Sequence, residues 1–268
     1  MGGLTYDDAG VDIDKKHGVL DRIGAIVKST FTDAVLHEPG SFGGLFDGRF
    51  PGREGPILVA TNDGVGTKVR LAIRAGRARG LGHDIVNHVV NDILVQGAEP
   101  LFFMDYFAAS HLDPAVFEDT LTGLAEACRE VGAALLGGET AEMPGVYTEG
   151  AFDVAGTVVG LVDRTAIWPR QDSMTTGDLL LGLPSSGPHT NGFSLIRRTV
   201  EPRDLNQKLA DGQTLADALL APHRGYVATI DALSKAGVAV KGLAHITGGG
   251  FTDNIPRVLP TALTAQID

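Results

Sequence analysis

The sequence predicts a mixed α/β protein in two parts, and three observations lead to this class. A short apolar run at 57–60 has the length of a buried strand, apolar residues over 83–96 recur at helical spacing, and this alternation continues along the chain. The polar segment 163–178 interrupts the pattern. A chain of 268 residues is long enough for two ordinary domains, which we place at 1–168 and 169–268.

Composition argues against several classes of partner. The formal net charge of −11 argues against nucleic acid as the main partner, although a metal ion and a few local cations can still accommodate a nucleotide. Cys128 is the only cysteine, so an internal disulfide is impossible. Because the sequence shows neither an apolar run of transmembrane length nor a signal peptide, we predict a cytoplasmic protein without a membrane partner.

The elements of the first part follow from its apolar pattern. Helical spacing predicts helices, and short apolar runs bounded by glycine or polar residues predict strands. The predicted elements are, in order, a helix over 12–30, a strand over 57–60, a helix over 83–96, a strand over 101–107, a helix over 114–131, and strands over 133–136 and 153–162.

The second part twice repeats a unit of strand, glycine-rich loop and helix. A strand over 179–183 leads into the loop 184–192, and the same unit recurs over 242–251. Since a helix N-terminus favours anions, both loops are candidate phosphate sites. A single histidine is usually a satisfied polar group, but His189 and His245 lie in two such loops. The predicted helices of this part cover 193–200, 221–233 and 252–259.

The turn after the first strand carries residues suited to a nucleotide and its cation. Gly64 and Gly66 let the backbone turn tightly and approach a ligand closely. Asp63 offers oxygen ligands to a hard cation, and Lys68 offers a positive charge to a phosphate. Upstream, the glycine-rich segment 39–46 either closes over a phosphate chain or is a plain mobile turn.

The predicted helix 83–96 is largely apolar, but four polar residues share one of its faces. A stripe of this kind is either a solvated helix face or part of a site. Solvated faces usually use good helix formers such as Lys, Glu, Gln and Arg, whereas Asp, Asn and His are poorer ones. The composition of the stripe therefore favours a site. Its members are Asp84, His88, Asn91 and Asp92.

Acidic residues near strand ends suggest a divalent cation. If Asp63, Asp92 and Asp105 converge, each pair about 4 Å apart repels by roughly 4 kcal/mol at an effective dielectric near 20. A cation would hold them together, whereas protonation or a larger separation would avoid the repulsion. Glu139 follows two glycines at a strand end, so it either repeats the logic of Asp63 or caps the next segment.

Six sequence blocks together resemble the phosphoribosylformylglycinamidine cyclo-ligase family, also called aminoimidazole ribonucleotide synthetases. The blocks follow the order of that family from residue 6 to the end of the chain. They are YDDAGVDID at 6–14, DGVGTK at 63–68, NDILVQGAEP at 91–100, GGETAEMPG at 137–145, SSGPHTNG at 185–192 and HITGGGF at 245–251.

The resemblance implies a fold and a reaction. It implies an N-terminal α/β domain whose sheet pairs across a homodimer, a C-terminal α/β domain, and an active site in the cleft between them. It also implies that ATP phosphorylates the formamide oxygen of formylglycinamidine ribonucleotide. The amidine nitrogen then attacks that carbon and expels phosphate, because phosphate leaves far more readily than an amide oxygen.

The resemblance also implies roles for individual residues. Mg²⁺ on the ATP phosphates would be held by Asp63, Asp92 and Glu139. The nucleotide would be contacted by Gly43, Gly44, Asp63, Gly64, Gly66, Thr67 and Lys68. The catalytic set would be His189, His245 and Asp92, with the histidines transferring protons or stabilising the phosphorylated oxygen. Candidates for substrate binding are Ser185, Ser186, Gly187, Asn191, Thr247, Gly248 and Gly249.

The chain departs from the family at its end. Family members continue well past the position of Asp268, so we expect an incomplete C-terminal domain that exposes a strand edge or an apolar face. Two alternatives stay open: a non-catalytic fragment that still binds nucleotide, and another ATP-dependent enzyme of the same architecture. Such relatives include selenophosphate synthetase, whose reactive N-terminal cysteine has no counterpart here, and thiamine-phosphate kinase.

Overall fold

The computed structural model, which describes residues 23–39 and 44–267, contains a four-stranded sheet in its first half. Its order is β1-β4-β2-β3, with β4 antiparallel to both of its neighbours and β2 parallel to β3. The first and third strands are therefore the two edges of the sheet. The strands are β1 (Pro56–Gly64), β2 (Glu99–Ala109), β3 (Ala134–Glu142) and β4 (Phe152–Asp163).

Helices pack on one face of this sheet. They are α1 (23–28), α2 (Lys68–Ala75), α3 (Arg79–Leu94) and α4 (Pro114–Val131). The side chain of Asp113 caps α4 by accepting hydrogen bonds from two backbone N–H groups of its first turn. Gly132 ends the helix with a φ of 76°, a left-handed conformation that favours glycine. Because α4 joins two parallel strands, β2, α4 and β3 form a crossover unit.

Two glycines let α3 and α4 touch backbone to backbone. A Cβ on Gly82 would lie 2.3 Å from the Leu124 nitrogen, and one on Gly123 would lie 2.0 Å from the Arg79 carbonyl oxygen. Neither position has room for a side chain, so this contact fixes α3 against the core. The core between helices and sheet includes the buried side chains of Ile85, Val86, Phe103, Phe107 and Leu124.

The opposite face of the sheet is open in the described part of the chain. Leu58, Met104 and Tyr106 are 60%, 39% and 38% exposed, and they alternate along their strands with less exposed side chains. The sheet therefore has one covered face and one exposed, partly apolar face.

The second region, 164–267, consists of helices and coil, and none of its described residues forms a strand. The predicted strand over 179–183 is therefore wrong, as is the strand in the unit at 242–251. Leu179 and Leu181 are 89% and 75% exposed. A strand needs a neighbour to pair its backbone groups, and no described strand lies beside either segment. The helices are α5 (Phe193–Val200), α6 (Leu215–Leu219), α7 (Val227–Lys235) and α8 (Gly250–Asn254).

Two helix predictions in this region need correction. The helix predicted over 221–233 begins only at Val227, because backbone groups of residues 223–226 form hydrogen bonds to side chains of α3. The helix predicted over 252–259 is divided into α8 and a 3₁₀ turn at Ile255–Arg257.

The predictions for the first part are confirmed in type. The four predicted strands match β1 to β4, although β1 and β3 continue to Gly64 and Glu142, well past the predicted ends at 60 and 136. The helix predicted over 114–131 coincides with α4, and the one predicted over 83–96 corresponds to α3, which begins at Arg79. In the second part, the helix predicted over 193–200 coincides with α5. Most of the helix predicted over 12–30 lies outside the described residues, and its described part is helical over 23–28. Helix α2 was not predicted. None of the helices in the described part of the chain has the length and apolarity of a membrane span.

Candidate functional site

Two residues of the polar stripe of α3, together with Asn87, which was not predicted, bind backbone groups of the second region. Asp84 accepts a hydrogen bond from the His223 N–H, and Asn87 donates one to the His223 carbonyl, at 2.8 and 2.7 Å. Asn91 donates to the Arg224 carbonyl and accepts from the Tyr226 N–H, at 2.9 and 3.2 Å. The stripe is therefore a buried contact between the two regions, and this segment cannot form a helix while its backbone bonds to α3.

Lys68 does not lie on the surface as a phosphate ligand would. Its side chain is 1% exposed, and its Nζ lies 2.8 Å from Asp84 Oδ1 and 2.9 Å from the Ala221 carbonyl oxygen. Burial lowers the pKa of Lys68, and burial also raises the pKa of Asp84 to about 6, against the effect of the ion pair. Lys68, which was predicted to contact nucleotide phosphates, thus forms an internal ion pair in this structure.

At the C-terminal part of the stripe, two carboxylates and an imidazole converge. His88 Nε2 lies 2.9 Å from Asp63 Oδ2, and Asp63, His88 and Asp92 each offer a ligand atom within 4.8 Å of the others. The Asp63 and Asp92 side chains are 50% and 31% exposed, whereas that of His88 is 6% exposed. We call these three residues the Asp63–His88–Asp92 cluster. It joins the end of β1 to α3.

Four histidines surround this point. The ring of His88 lies 5.4 Å from the rings of both His223 and His245, and the ring of His189 stacks on His223 at 4.0 Å. Burial, followed by the neighbouring positive charges, lowers the pKa of His189 to about 4 and lowers that of His223 further. Burial also lowers the pKa of His88. All three rings are therefore neutral at pH 7.

Both predicted histidine loops reach the cluster. His245 Nδ1 lies 2.8 Å from Asp92 Oδ1, and its side chain is 10% exposed. The loop of His189 reaches α3 through its neighbour Thr190, whose Oγ1 lies 2.6 Å from His88 Nδ1. His189 itself accepts at Nε2 from the Ser186 N–H at 3.2 Å, and its φ of 42° is unusual for a residue with a side chain.

The predicted substrate residues lie on these two loops, which face each other. A Cβ on Gly248 would lie 3.6 Å from Asn191 Oδ1. Ser185, Ser186 and Asn191 are exposed, as is Gly249, while Gly187 and Thr247 are partly buried.

Of the predicted nucleotide residues, Gly66 and Thr67 are exposed at the start of α2, next to the partly buried Gly64. Gly44 packs on the side chain of Leu136, and Gly43 lies outside the described residues.

Two predicted acidic ligands lie elsewhere. Asp105 on β2 and Glu139 on β3 are not in the metal-capable group of the described chain. Asp63 is on β1, at the opposite edge from β3, and three strand spacings amount to about 14 Å. Asp105 instead lies against Gly138, where burial raises its pKa to about 7. Asp105 lies two strand spacings from Asp63, about 10 Å, so the two carboxylates do not converge. Glu139 does not complete the cation site with Asp63.

His223 and Thr190 were missed as site residues, although Thr190 was inside a predicted loop. His223 is 1% exposed, and its Nδ1 lies 3.3 Å from Thr190 Oγ1. No local signal marked His223, because proline is compatible with a helix start and the irregular segment depends on its contact with α3.

The donor atoms of the Asp63–His88–Asp92 cluster suit a divalent cation. Asp63 and Asp92 provide partly exposed carboxylate oxygens, which Mg²⁺ prefers, with room for water or phosphate oxygens to complete its coordination. The carboxylates that the resemblance implied therefore fit the ion, apart from Glu139.

Fold and site together define a two-domain α/β protein with a carboxylate and histidine cluster where its regions meet. Residues 48–162 match the family model of the N-terminal domain of AIR synthase related proteins, and residues 175–268 match that of their C-terminal domain. The chain belongs to the AIR synthase-related superfamily.

Two solved structures illustrate this fold. The chain is similar to thiamine-monophosphate kinase from Stenotrophomonas maltophilia, with 22% identity and a TM-score of 0.56 over 85% of the chain. It is also similar to a hydrogenase maturation protein HypE, with 17% identity and a TM-score of 0.50 over 82% of the chain. The chain spans 65% and 60% of the lengths of these two proteins.

Proposed function

We propose that this protein uses ATP to convert formylglycinamidine ribonucleotide to aminoimidazole ribonucleotide, releasing ADP and phosphate. The six sequence blocks support this member of the superfamily. The observation that carries the proposal is the junction at α3, where Asp63 and Asp92 lie directly beside the loops of His189 and His245. Such a junction places a cation-bound phosphate next to groups that can handle protons.

In this proposal Asp63 and Asp92 hold the cation, and the exposed turn of Gly64, Gly66 and Thr67 contacts the nucleotide phosphates. Mg²⁺ bound there would neutralise phosphate charge during transfer to the formamide oxygen. Gly43 and Gly44 remain proposed contacts of the nucleotide. Lys68 acts indirectly, because it fixes Asp84 and thereby the segment that carries His223.

His245 is the proposed general base. Its Nδ1–H donates to Asp92 Oδ1 at 2.8 Å, which leaves the Nε2 lone pair free to accept a proton. Nε2 is buried and has no hydrogen-bond partner among the described residues. As the amidine nitrogen attacks the activated carbon, His245 takes the proton that this nitrogen must lose, and the Asp92 carboxylate stabilises the resulting imidazolium.

His189 has a different proposed role. Its Nε2 accepts hydrogen bonds from the Ser186 and Arg224 N–H groups at 3.2 and 3.4 Å, so the ring proton is on Nδ1. A neutral Nδ1–H donor suits a developing negative charge on the leaving phosphate oxygen. The exposed Ser185 and Asn191 with Thr247, Gly248 and Gly249 provide donors for the substrate's ribose phosphate. Ser186 supports this loop instead, because its N–H donates to His189 and its hydroxyl donates to the Pro222 carbonyl.

A homodimer is part of the proposal. The open face of the sheet presents Leu58, Met104 and Tyr106, which a second copy would cover. Replacing Leu58 with Glu would then convert a dimer to a monomer, as measured by light scattering. A monomeric wild-type chain would contradict this part.

The direct test is phosphate release from ATP by the purified 268-residue chain, with and without formylglycinamidine ribonucleotide, and mass spectrometry of the product. We expect substrate-dependent release together with aminoimidazole ribonucleotide. Nucleotide binding without turnover would favour a non-catalytic fragment. Thiamine monophosphate serves as a comparison substrate, and phosphorylation of it instead would indicate another member of the superfamily.

A variant separates chemistry from binding. His245→Asn keeps a donor for Asp92 but removes the base, so we expect kcat to fall by about 100-fold or more while KM changes little. His111→Ala is the matched control, because His111 is 46% exposed and outside the histidine cluster. Unchanged kcat in His245→Asn would remove the proposed role of His245.

A further inference from the structure

The Asp63–His88–Asp92 cluster contains a nitrogen donor that magnesium sites do not require. His88 Nε2 lies 2.9 Å from Asp63 Oδ2, and all three ligand atoms lie within 4.8 Å of one another. Two ligands about 2.1 Å from one ion and at right angles to each other are about 3.0 Å apart. His88 and Asp63 form a hydrogen bond in this structure. It holds the two atoms at the separation of adjacent ligands, and a shared ion would replace its proton.

The surroundings of His88 are those of a positioned metal ligand. Metal-binding histidines usually direct their second ring nitrogen to a hydrogen-bond partner that fixes the ring. Here Nδ1 lies 2.6 Å from Thr190 Oγ1, and the same hydroxyl lies 3.3 Å from His223 Nδ1. The carboxylate of Asp92 is positioned in the same way by His245 Nδ1 at 2.8 Å. Two of the three ligands thus have a fixed outer partner.

The pattern of exposure leaves one side of the cluster open. The His88 side chain is 6% exposed and lies at the base, while the side chains of Asp63 and Asp92 are 50% and 31% exposed. An ion held by these three residues would keep positions for water or for a ligand oxygen. Sites that combine imidazole with carboxylates and open positions suit divalent transition ions, because nitrogen donors discriminate against Mg²⁺.

We propose that Asp63, His88 and Asp92 bind one divalent transition-metal ion of the manganese-to-zinc series in the absence of nucleotide, and bind it more tightly than Mg²⁺. This goes beyond the proposed reaction and does not depend on it, since the binding is a property of the chain alone.

The test is titration of the purified full chain with CoCl₂, ZnCl₂ and MgCl₂ in separate calorimetric experiments without nucleotide. Visible absorption of Co²⁺ reports its coordination. We expect one ion per chain, Co²⁺ and Zn²⁺ affinities at least about tenfold above that of Mg²⁺, and a Co²⁺ spectrum altered by nitrogen ligation. Equal affinities for the three ions, or no saturable binding at millimolar concentration, would overturn the proposal. Since no turnover is measured, these outcomes are independent of whether the chain is a cyclo-ligase.

Variants locate the ion. His88→Ala should weaken Co²⁺ binding by at least about tenfold and leave Mg²⁺ binding nearly unchanged, whereas His111→Ala should bind Co²⁺ as the wild type does. If circular dichroism shows that His88→Ala is unfolded, Thr190→Val provides the second test. It keeps His88 and removes its outer partner, so Co²⁺ affinity should fall by about 10- to 100-fold. Wild-type Co²⁺ affinity in the folded variant, or loss of binding in His111→Ala instead, would refute this site.

Discussion

Different interactions stabilise the two regions of this protein. In the first, apolar side chains such as Ile85, Phe103 and Leu124 are fully buried between the sheet and α3 or α4. In the second, Leu179 and Leu181 are largely exposed, and the described residues form no sheet. Apolar burial thus stabilises the first region, and α5, α6 and their connection add Phe193, Val200, Leu205, Ala216 and Leu220 to the same core. The irregular segment 221–226 of the second region is instead positioned by hydrogen bonds to α3.

This difference explains why the site lies at α3. One face of the helix is fixed in the apolar core, so its polar face is a rigid platform for the other region. Asp84, Asn87 and Asn91 follow helical spacing and bind successive backbone groups of an irregular segment. His88 and Asp92 lie on the same face and contact the loops. A less rigid helix could not hold these groups at fixed distances.

The largest contrast should come from removing an apolar side chain in each region. Phe103 is completely buried, so Phe103→Ala should reduce the free energy of unfolding by about 3–5 kcal/mol. Leu179 is 89% exposed, and Leu179→Ala should change it by less than about 0.5 kcal/mol. Urea unfolding followed by circular dichroism measures both. A similar loss in the two variants would mean that Leu179 is covered in solution, and the comparison would fail.

The next largest effect concerns the buried ion pair. Lys68→Met leaves Asp84 buried without its cation, and we expect a loss of about 3 kcal/mol at pH 7. The loss should shrink at pH 5, because burial already raises the pKa of Asp84 to about 6 and removal of Lys68 raises it further.

Lys68→Met with Asp84→Asn is the control for that experiment. The amide oxygen can still accept from the His223 N–H, and no charge is left buried, so most of the stability should return. If the double variant is as unstable as the single one, then packing rather than charge explains the loss.

A smaller loss of stability is expected from a substitution that weakens only the contact between the two regions. Asn91 is 2% exposed and bonds to the Arg224 carbonyl and the Tyr226 N–H, so Asn91→Ala should cost about 2 kcal/mol. Hydrogen exchange should increase in the segment 221–226 and stay unchanged in β2 and β4. Equal increases in both places would show that the regions unfold as one unit.

How far the sequence could predict this structure follows the same division. The strands and α4 were predictable because apolar periodicity both causes and reveals their burial. The strand predicted at 179–183 is absent, since an apolar run becomes a buried strand only where a partner surface exists. His245 and Asp92 were identified from local residue patterns, yet their contact spans 153 positions along the chain. The separation of Asp63 from Glu139 depends on sheet order, and the position of His223 depends on its contact with α3. No local pattern encodes either of them.

The smallest predicted effect is a loss of stability in acid that originates in the second region. His189 has a pKa lowered to about 4 in the folded protein, first by burial and then by nearby positive charges, against about 6.5 when unfolded. Below pH 6.5 the unfolded chain therefore binds more protons, and the free energy of unfolding should decrease as pH falls from 7 towards 4. Because the ring is only half buried, we expect its contribution at pH 5 to be about 1 kcal/mol.

The variant His189→Asn isolates this contribution. Asparagine tolerates the left-handed backbone that His189 adopts at a φ of 42°, and it does not titrate. Asp84, whose raised pKa acts in the opposite direction, is present in both proteins and cancels in the difference. The wild type should therefore lose more stability than His189→Asn between pH 7 and pH 5, and the excess should coincide with faster exchange at 221–226. If both proteins lose the same amount, protonation of His189 does not weaken the contact, and the acid sensitivity belongs to other groups.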